Sequence, residues 1–514
     1  MKSIRLMSGF FTVGVWTLLS RILGFVREVM ILSLIGPGPL MDAFVAAFRL
    51  PNMFRRFFAE GAFNAAFVPM FSKRLEAGED AAKFAQNAFS GLFFMVALLT
   101  ALGMIFMPGL VWLTAEGFTG DGRFDLTVGF GRIVFPYILF MSLSALFSGI
   151  LNATGRFAVA AAAPVLLNVF VISALTFAAL TGGAAINWLI WAIPLAGMAQ
   201  LALTWRAASQ AGFSLRPKRP RWNKNMRDLV VIALPAALAS GVMQINLVVG
   251  QLVASQYENA VSWLFAADRL YQLPLGVVGI AVGVVLLPDL SRRMRSGDNA
   301  GAQNALSRAA EISLALTIPS AVALMVIPLT LVSVLFERGA SGTDDSAAIA
   351  TAVMIYGLGL PAFVLQKIVQ PLYFAREDTR RPFYFALVAM VINAVLAVGL
   401  APWVGWLAPA MATTVAGWGM YGLLAIGARG FGDAARVDAR FRRRIWRIIA
   451  ASLIMGAVLW FFNVQLNTLM AVPWWRGLGL LILLCIGALA YFSSGQMLGA
   501  FKVSEFKAAM RRGG

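Results

Sequence analysis

The chain has 514 residues, 60% hydrophobic and 13% charged, and its mean hydropathy is +0.80, whereas about a quarter of the residues of a soluble domain are charged. This excludes an ordinary globular protein and leaves one that lives in lipid. The absence of histidine and the single cysteine, Cys485, exclude imidazole acid–base catalysis, histidine metal ligands, histidine triads, paired-thiolate sites and any intrachain disulfide.

Inside hydrocarbon a chain must satisfy its own backbone, so spans are helices or the strands of a closed barrel. The apolar runs here are continuous over about 20 residues rather than alternating, which selects helices. Lys2 and Arg5 precede the first run as in a signal peptide, but the run is long, contains Arg21 and Arg27 and lacks a small-residue cleavage site, so a retained first helix is expected. Spans are expected over 8–34, 41–72, 87–109, 127–153, 159–181, 186–206, 227–254, 261–290, 304–335, 347–374, 383–401, 407–428, 445–463 and 474–497, giving an all-α integral membrane protein of about 14 transmembrane helices.

In the first span Ser20 and Arg27 lie seven residues apart, as do Arg21 and Glu28, so the helix carries two polar edges with Gly24 between them. The second span holds Asp42, Arg49, Asn52, Arg55, Arg56, Glu60 and Asn64. Arg49, Asn52, Arg56 and Glu60 fall within about an 80° stripe of an ideal helix, although Pro51 kinks it. At roughly 48 Å this segment is too long to stand upright in a 30 Å core and is expected to bend or tilt.

The net charge of +19 raises nucleic acid as a partner, but the positions of the charges answer that. With the N-terminus inside, only Arg123, Arg338 and Arg476 fall outside, and Arg21, Arg27, Arg49, Arg55, Arg56, Arg132, Arg269 and Lys367 fall within spans. All other basic residues lie in cytoplasmic loops or tails, which puts both termini in the cytoplasm and needs no nucleic acid. No phosphate-binding glycine loop is present, so ATP is not the direct energy source.

The chain echoes itself at a period of about 220 residues, the mark of an internal repeat. Ala46, Ala47, Arg49 and Leu50, leading to Pro69 and Ser72, recur as Ala266, Ala267, Arg269 and Leu270, leading to Pro288 and Ser291, while Pro136 and Asn168 recur as Pro361 and Asn393. The repeats run parallel: an N-lobe at 1–206, a basic cytoplasmic linker at 207–226 and a C-lobe at 227–428, with 429–514 holding the last two spans and a basic tail. Such pairs of six-helix lobes enclose a central cavity and suit alternating access.

Arginines inside spans can snorkel or pair with Asp42, Glu60, Glu28 and Asp268 to lock helices, a reading that covers Arg49, Arg132 and Asp268. Five buried arginines would still cost about 15 kcal/mol at about 3 kcal/mol each on insertion scales. A cavity for a multiply charged anion explains that surplus. Guanidinium suits a diphosphate because its planar fork donates paired, charge-assisted hydrogen bonds and never deprotonates. Lys367, beside Gln366 and Gln370, is a weaker candidate for the same cavity.

SRILGFVREVMI from Ser20, MDAF from Met41, LPNMFRRFFAEGAFNAAFVPMF from Leu50 and ADRLYQLPLG from Ala267 closely resemble the MurJ (MviN) family of lipid II flippases. This family belongs to the superfamily of multidrug and oligosaccharidyl-lipid exporters, and the resemblance covers essentially the whole chain. It implies a flippase, not an enzyme, that moves undecaprenyl-diphosphate-linked peptidoglycan precursor between the leaflets of the bacterial inner membrane. By similarity Arg21, Arg27, Arg55 and Arg269 match the family's essential cavity arginines, and Arg56, Ser20, Asp42 and Glu60 match further motif positions. Spans thirteen and fourteen resemble the pair that forms a groove for the polyprenyl tail. The implied partners are lipid II, membrane lipids and cell-wall synthesis proteins, with no cofactor and no resident metal. The seventh span has no carboxylate beyond Asp228 to supply the sodium site of some relatives. A flippase for another polyprenyl-diphosphate glycan and a non-transporting scaffold for wall synthesis are the alternatives.

Overall fold

The structure, a computed structural model, describes residues 2–55, 62–281, 287–470, 472 and 474–501. Arg56, Glu60 and the tail residues Lys502, Lys507, Arg511 and Arg512 lie outside the described residues. Among the described residues there is no strand. Nine helical segments there are long and apolar enough to cross a membrane. The chain packs as two compact units, Met1–Ser262 with Arg338–Ser341, and Trp263–Glu337 with Gly342–Gly514.

The first unit opens with α1 (Lys2–Leu34), α2 (Pro39–Arg55), α3 (Ala62–Glu76), α4 (Ala81–Ile105) and α5 (Met107–Thr114). It continues with α6 (Gly122–Val134), α7 (Tyr137–Ala153), α8 (Phe157–Thr181), α9 (Ala185–Gln210) and α10 (Lys224–Ser255). Local chemistry sets several ends. Asp121 caps α6 by accepting the Arg123 backbone N–H at 2.7 Å, and Asn223 caps α10 through Met226 N–H at 2.9 Å. Pro136 divides α6 from α7, since proline has no N–H to continue the ladder. Helix α1 lies along α8, α8 along α9, and α10 along α3. The core is aromatic: Phe67 stacks on Phe71 and Phe84 with ring centroids 5.5 and 5.6 Å apart.

Across the last residues of the first unit and into the second runs α11 (Ala260–Ala281). It is followed by α12 (Leu287–Arg295), α13 (Asn299–Val326), α14 (Pro328–Phe336), α15 (Thr343–Phe374) and α16 (Arg380–Val404). The last helices are α17 (Ala408–Ala428), α18 (Ala439–Met470) and α19 (Arg476–Met497). Helix α13 packs on α15 and α18, and α17 on α15 and α16. Buried hydroxyls find carbonyls across helices: Tyr373 donates to Leu424 at 2.7 Å, and Tyr491 of α19 donates to Ala315 of α13 at 2.6 Å. Buried Thr317 and Ser452 donate back to the carbonyl four residues earlier, the usual way for a helix to carry a hydroxyl through an apolar layer.

A four-residue segment between α14 and α15 belongs to the first unit. Ala340 N–H donates to the Ser33 carbonyl at 2.9 Å, satisfying an acceptor at the end of α1 that the helix cannot. Gly339 takes φ +59, and a Cβ there would stand 2.2 Å from the Ser33 oxygen. Only glycine tolerates both the conformation and the approach.

Many large apolar side chains are exposed, as expected where the solvent is lipid. Trp403 at the end of α16 and Trp474 just before α19 are among the most exposed residues of the chain, and tryptophan at helix ends matches the aromatic belt of a membrane interface.

Candidate functional site

The site is built on α1. Ser20 and Arg27, two turns apart, share the edge facing α8, and Asn168 of α8 reaches both. Arg27 Nη1 donates to Asn168 Oδ1 at 2.9 Å, and Asn168 Nδ2 donates to the Ser20 carbonyl at 2.9 Å. Arg27 Nη2 donates to the adjoining Glu28 carboxylate. Glu28 and Asn168 are buried, each 4% exposed, while 17% of the Arg27 side chain remains open. Guanidinium has five donors, so one acceptor on each terminal nitrogen orients Arg27 without exhausting it. Arg21, on the other edge of α1, is exposed.

Asp42 has a different setting. Its carboxylate is fully buried, accepts the Ser262 backbone N–H at 2.8 Å and pairs with Arg123 Nη1 at 3.3 Å. Arg123 also donates to the Tyr257 carbonyl at 3.3 Å and to Asp121 through Nε at 2.8 Å, with its guanidinium 4.4 Å above the Phe118 ring. For Asp121, burial pushes the carboxyl up, but the hydrogen bonds and charge of Arg123 pull it below the usual carboxylate range. The structure therefore groups Ser20 with Arg27 and sets Asp42 in a separate ion-pair cluster.

Arg55 is half-buried at the C-terminal end of α2. In the second unit Arg269 is half-buried on α11, its guanidinium 4.4 Å above the Phe265 ring, and Lys367 is exposed on α15. Arg49 donates to the Leu247 carbonyl at 3.3 Å and Arg132 to the Met104 carbonyl at 3.2 Å, where α4 runs out of its own donors. These two serve the fold.

The partners Asn168, Glu28 and Arg123 were not picked out by sequence as members of the site. Asn168 had a signal, as a repeat marker with Asn393. Arg123 had none beyond an outer-loop position beside Asp121 and Asp125.

Two further features lie in the second unit. Val322, Met325 and Val326 of α13 and Leu453, Gly456, Ala457 and Trp460 of α18 line an apolar groove of about 410 Å³. At the other end of this helix pair Glu311 accepts from Arg308 and Arg444, and Arg308 reaches on to Asp438.

A helical bundle with nine described helical segments long and apolar enough to cross a membrane, and with an oriented arginine on α1, is the construction of a multi-pass membrane transporter. A family model described as "Lipid II flippase MurJ" matches residues 31–484, and the chain belongs to that family. The chain is 41% identical over 521 residues to a "Probable lipid II flippase MurJ" of Rhizobium tropici, covering 99% of this chain and 97% of the relative. It is 42% identical over 529 residues to that of Rhizobium meliloti (strain 1021), with the same coverage. Among solved structures, "Lipid II flippase MurJ, inward closed conformation" aligns with a TM-score of 0.79 at 25% identity, covering 94% of this chain and 98% of that one. An inward-facing multidrug transporter of the MATE family aligns at 0.69 and 13% identity, over 81% and 95% of the two chains, and shows the shared fold.

Proposed function

We propose that this chain is a lipid II flippase that moves the undecaprenyl-diphosphate-linked precursor from the inner to the outer leaflet of the bacterial inner membrane. The observation that carries the reading is Arg27: a guanidinium on α1, the expected first span, in a chain matched to this family almost end to end, held in place by a neutral amide on one nitrogen. Arg21, Arg55 and Arg269 act with it as ligands of the diphosphate, and Ser20, Asp42, Arg56 and Glu60 support them. Removing a diphosphate from water is the main barrier to unassisted flipping, and guanidinium donors replace the lost hydration.

Fourteen helices with both termini cytoplasmic, as the distribution of basic residues supports, give two repeated lobes at 1–206 and 227–428, the linker 207–226 and the appendage 429–514. Rocking of the lobes exposes the site to each leaflet in turn. The packing division after Ser262 differs from the repeat boundary because α10 lies along α3. With the cell interior negative, outward movement of two negative charges gains about 4.6 kcal/mol per 100 mV, so the membrane potential drives the cycle. Lipid II is the substrate partner, and the wall-synthesis enzymes that supply and consume it are the protein partners.

The test is flipping of fluorescent lipid II in proteoliposomes. Arg27→Ala and Arg269→Ala each abolish it without unfolding the protein, and an imposed inside-negative potential accelerates it. Full flipping by both variants would sink the role of the arginines, and no flipping by the parent protein would favour a scaffold. A flippase for another polyprenyl-diphosphate glycan would use the same arginines, and competition between lipid II and a second glycan carrier separates the two.

A further inference from the structure

Asn168 stands out among the polar residues that are not themselves proposed as ligands of the diphosphate. It is 4% exposed on α8, in an apolar stretch where an amide is costly unless both its ends are satisfied. They are satisfied by one partner helix: Oδ1 accepts from Arg27 and Nδ2 donates to Ser20, both on α1. Gly24 lies between these contacts, and a Cβ there would meet the Asn168 amide at 3.7 Å, so the bare backbone of α1 is where the amide rests.

The chemistry of the acceptor matters. Glu28 already pairs with Arg27, and a carboxylate in place of Asn168 would add a second negative charge where an anion must bind. An amide fixes the guanidinium and adds no charge. The repeat read from the sequence provides the contrast: Asn393, the counterpart of Asn168, donates to a neutral hydroxyl, Thr413 Oγ1, at 3.2 Å. We infer that Asn168 is a positioning residue, which sets the direction of the Arg27 guanidinium toward the diphosphate. The inference rests on the diphosphate reading of Arg27 and adds a residue to it.

The experiment is a double-mutant cycle on the purified full-length protein with farnesyl diphosphate as the probe, read as a dissociation constant by intrinsic tryptophan fluorescence, with a melting temperature for each variant. Asn168→Ala weakens binding about tenfold, the weight of one hydrogen bond to a charged group, and by less than twofold when Arg27 is already Ala. Asn393→Ala leaves binding unchanged in both backgrounds. A purely structural Asn168 would lower affinity by the same factor with and without Arg27, and that additivity would overturn the inference. If Arg27→Ala itself leaves binding unaltered, the diphosphate reading fails first, and the two failures are distinct. Where Asn168→Ala does not fold, Asn168→Gln, which keeps the amide but moves it by one methylene, is run through the same cycle with the same expected non-additivity.

Discussion

The Arg123 guanidinium stands 3.3 Å from the Asp42 carboxylate, and both residues are buried, at 6% and 0% exposure. The pair joins the start of α2 to the start of α6, with Ser262 and Tyr257 completing the shell. Arg123→Ala leaves the Asp42 charge buried beside Ser262 without its cation, and breaking such a pair costs roughly 3–5 kcal/mol. Thermal unfolding in detergent should show a large fall in midpoint for Arg123→Ala and a partial recovery when Asp42→Asn is added. Equal midpoints for the single and double variants would mean that the pair contributes little.

Glu311 holds three guanidiniums, Arg308, Arg440 and Arg444, at the junction of α13 and α18. Asp438 keeps one of them when Glu311 is removed, so the loss for Glu311→Ala falls near the lower end, about 3 kcal/mol. The chain should become cleavable by protease between α17 and α18 at lower temperature. Protection unchanged from the parent would count against the clamp.

The groove between α13 and α18 has an apolar lining and about 410 Å³, room for part of a lipid tail. Ala457→Phe fills it from the exposed side. Flipping of a substrate with a full polyprenyl tail should fall several-fold while a short-tailed analogue is flipped at the parent rate, because burial is worth about 0.8 kcal/mol per CH₂. Equal losses for both substrates would show that the substitution disturbs packing rather than the tail.

Gly339→Ala places a Cβ 2.2 Å from the Ser33 oxygen at φ +59. The left-handed conformation alone costs roughly 1–2 kcal/mol for an alanine, and the clash adds to it. A lowered melting temperature with faster hydrogen exchange at the end of α1 is expected. A change confined to α14 and α15 would show that the clasp on α1 is dispensable.

Much of this molecule can be read from hydropathy and charge, because lipid leaves few solutions open to a backbone. The helices at Phe157–Thr181 and Ala185–Gln210 follow from runs of apolar residues and lie within a few residues of the expected spans. Breaks were harder: the 87–109 run is two helices, α4 and α5, parted at Phe106, where Pro108 cannot donate and no polar residue marks the place. In the site, the arginines were visible as charges where none belong, and Glu28 was visible as a carboxylate able to pair with them, but Asn168 was not. Asn168 is separated from Arg27 by 141 positions, and sequence spacing carries no information about which faces of distant helices meet. Arg123 looked like a topology marker because a buried outer-loop arginine and a solvated one have the same local sequence.

The segment Arg338–Ser341, which closes the end of α1, has a consequence for biogenesis. The first unit cannot be completed in the order in which it is made. While α2 through α14 are synthesised, Ser33 must leave its carbonyl to water or to the insertion machinery, and the clasp forms only after residue 341 has left the ribosome. A chain stalled or truncated before that point would hold most of its first unit yet present an unfinished α1, the very helix that bears Arg27. Quality-control proteases could therefore recognise an incomplete chain at its N-terminal end, although the missing part lies far downstream.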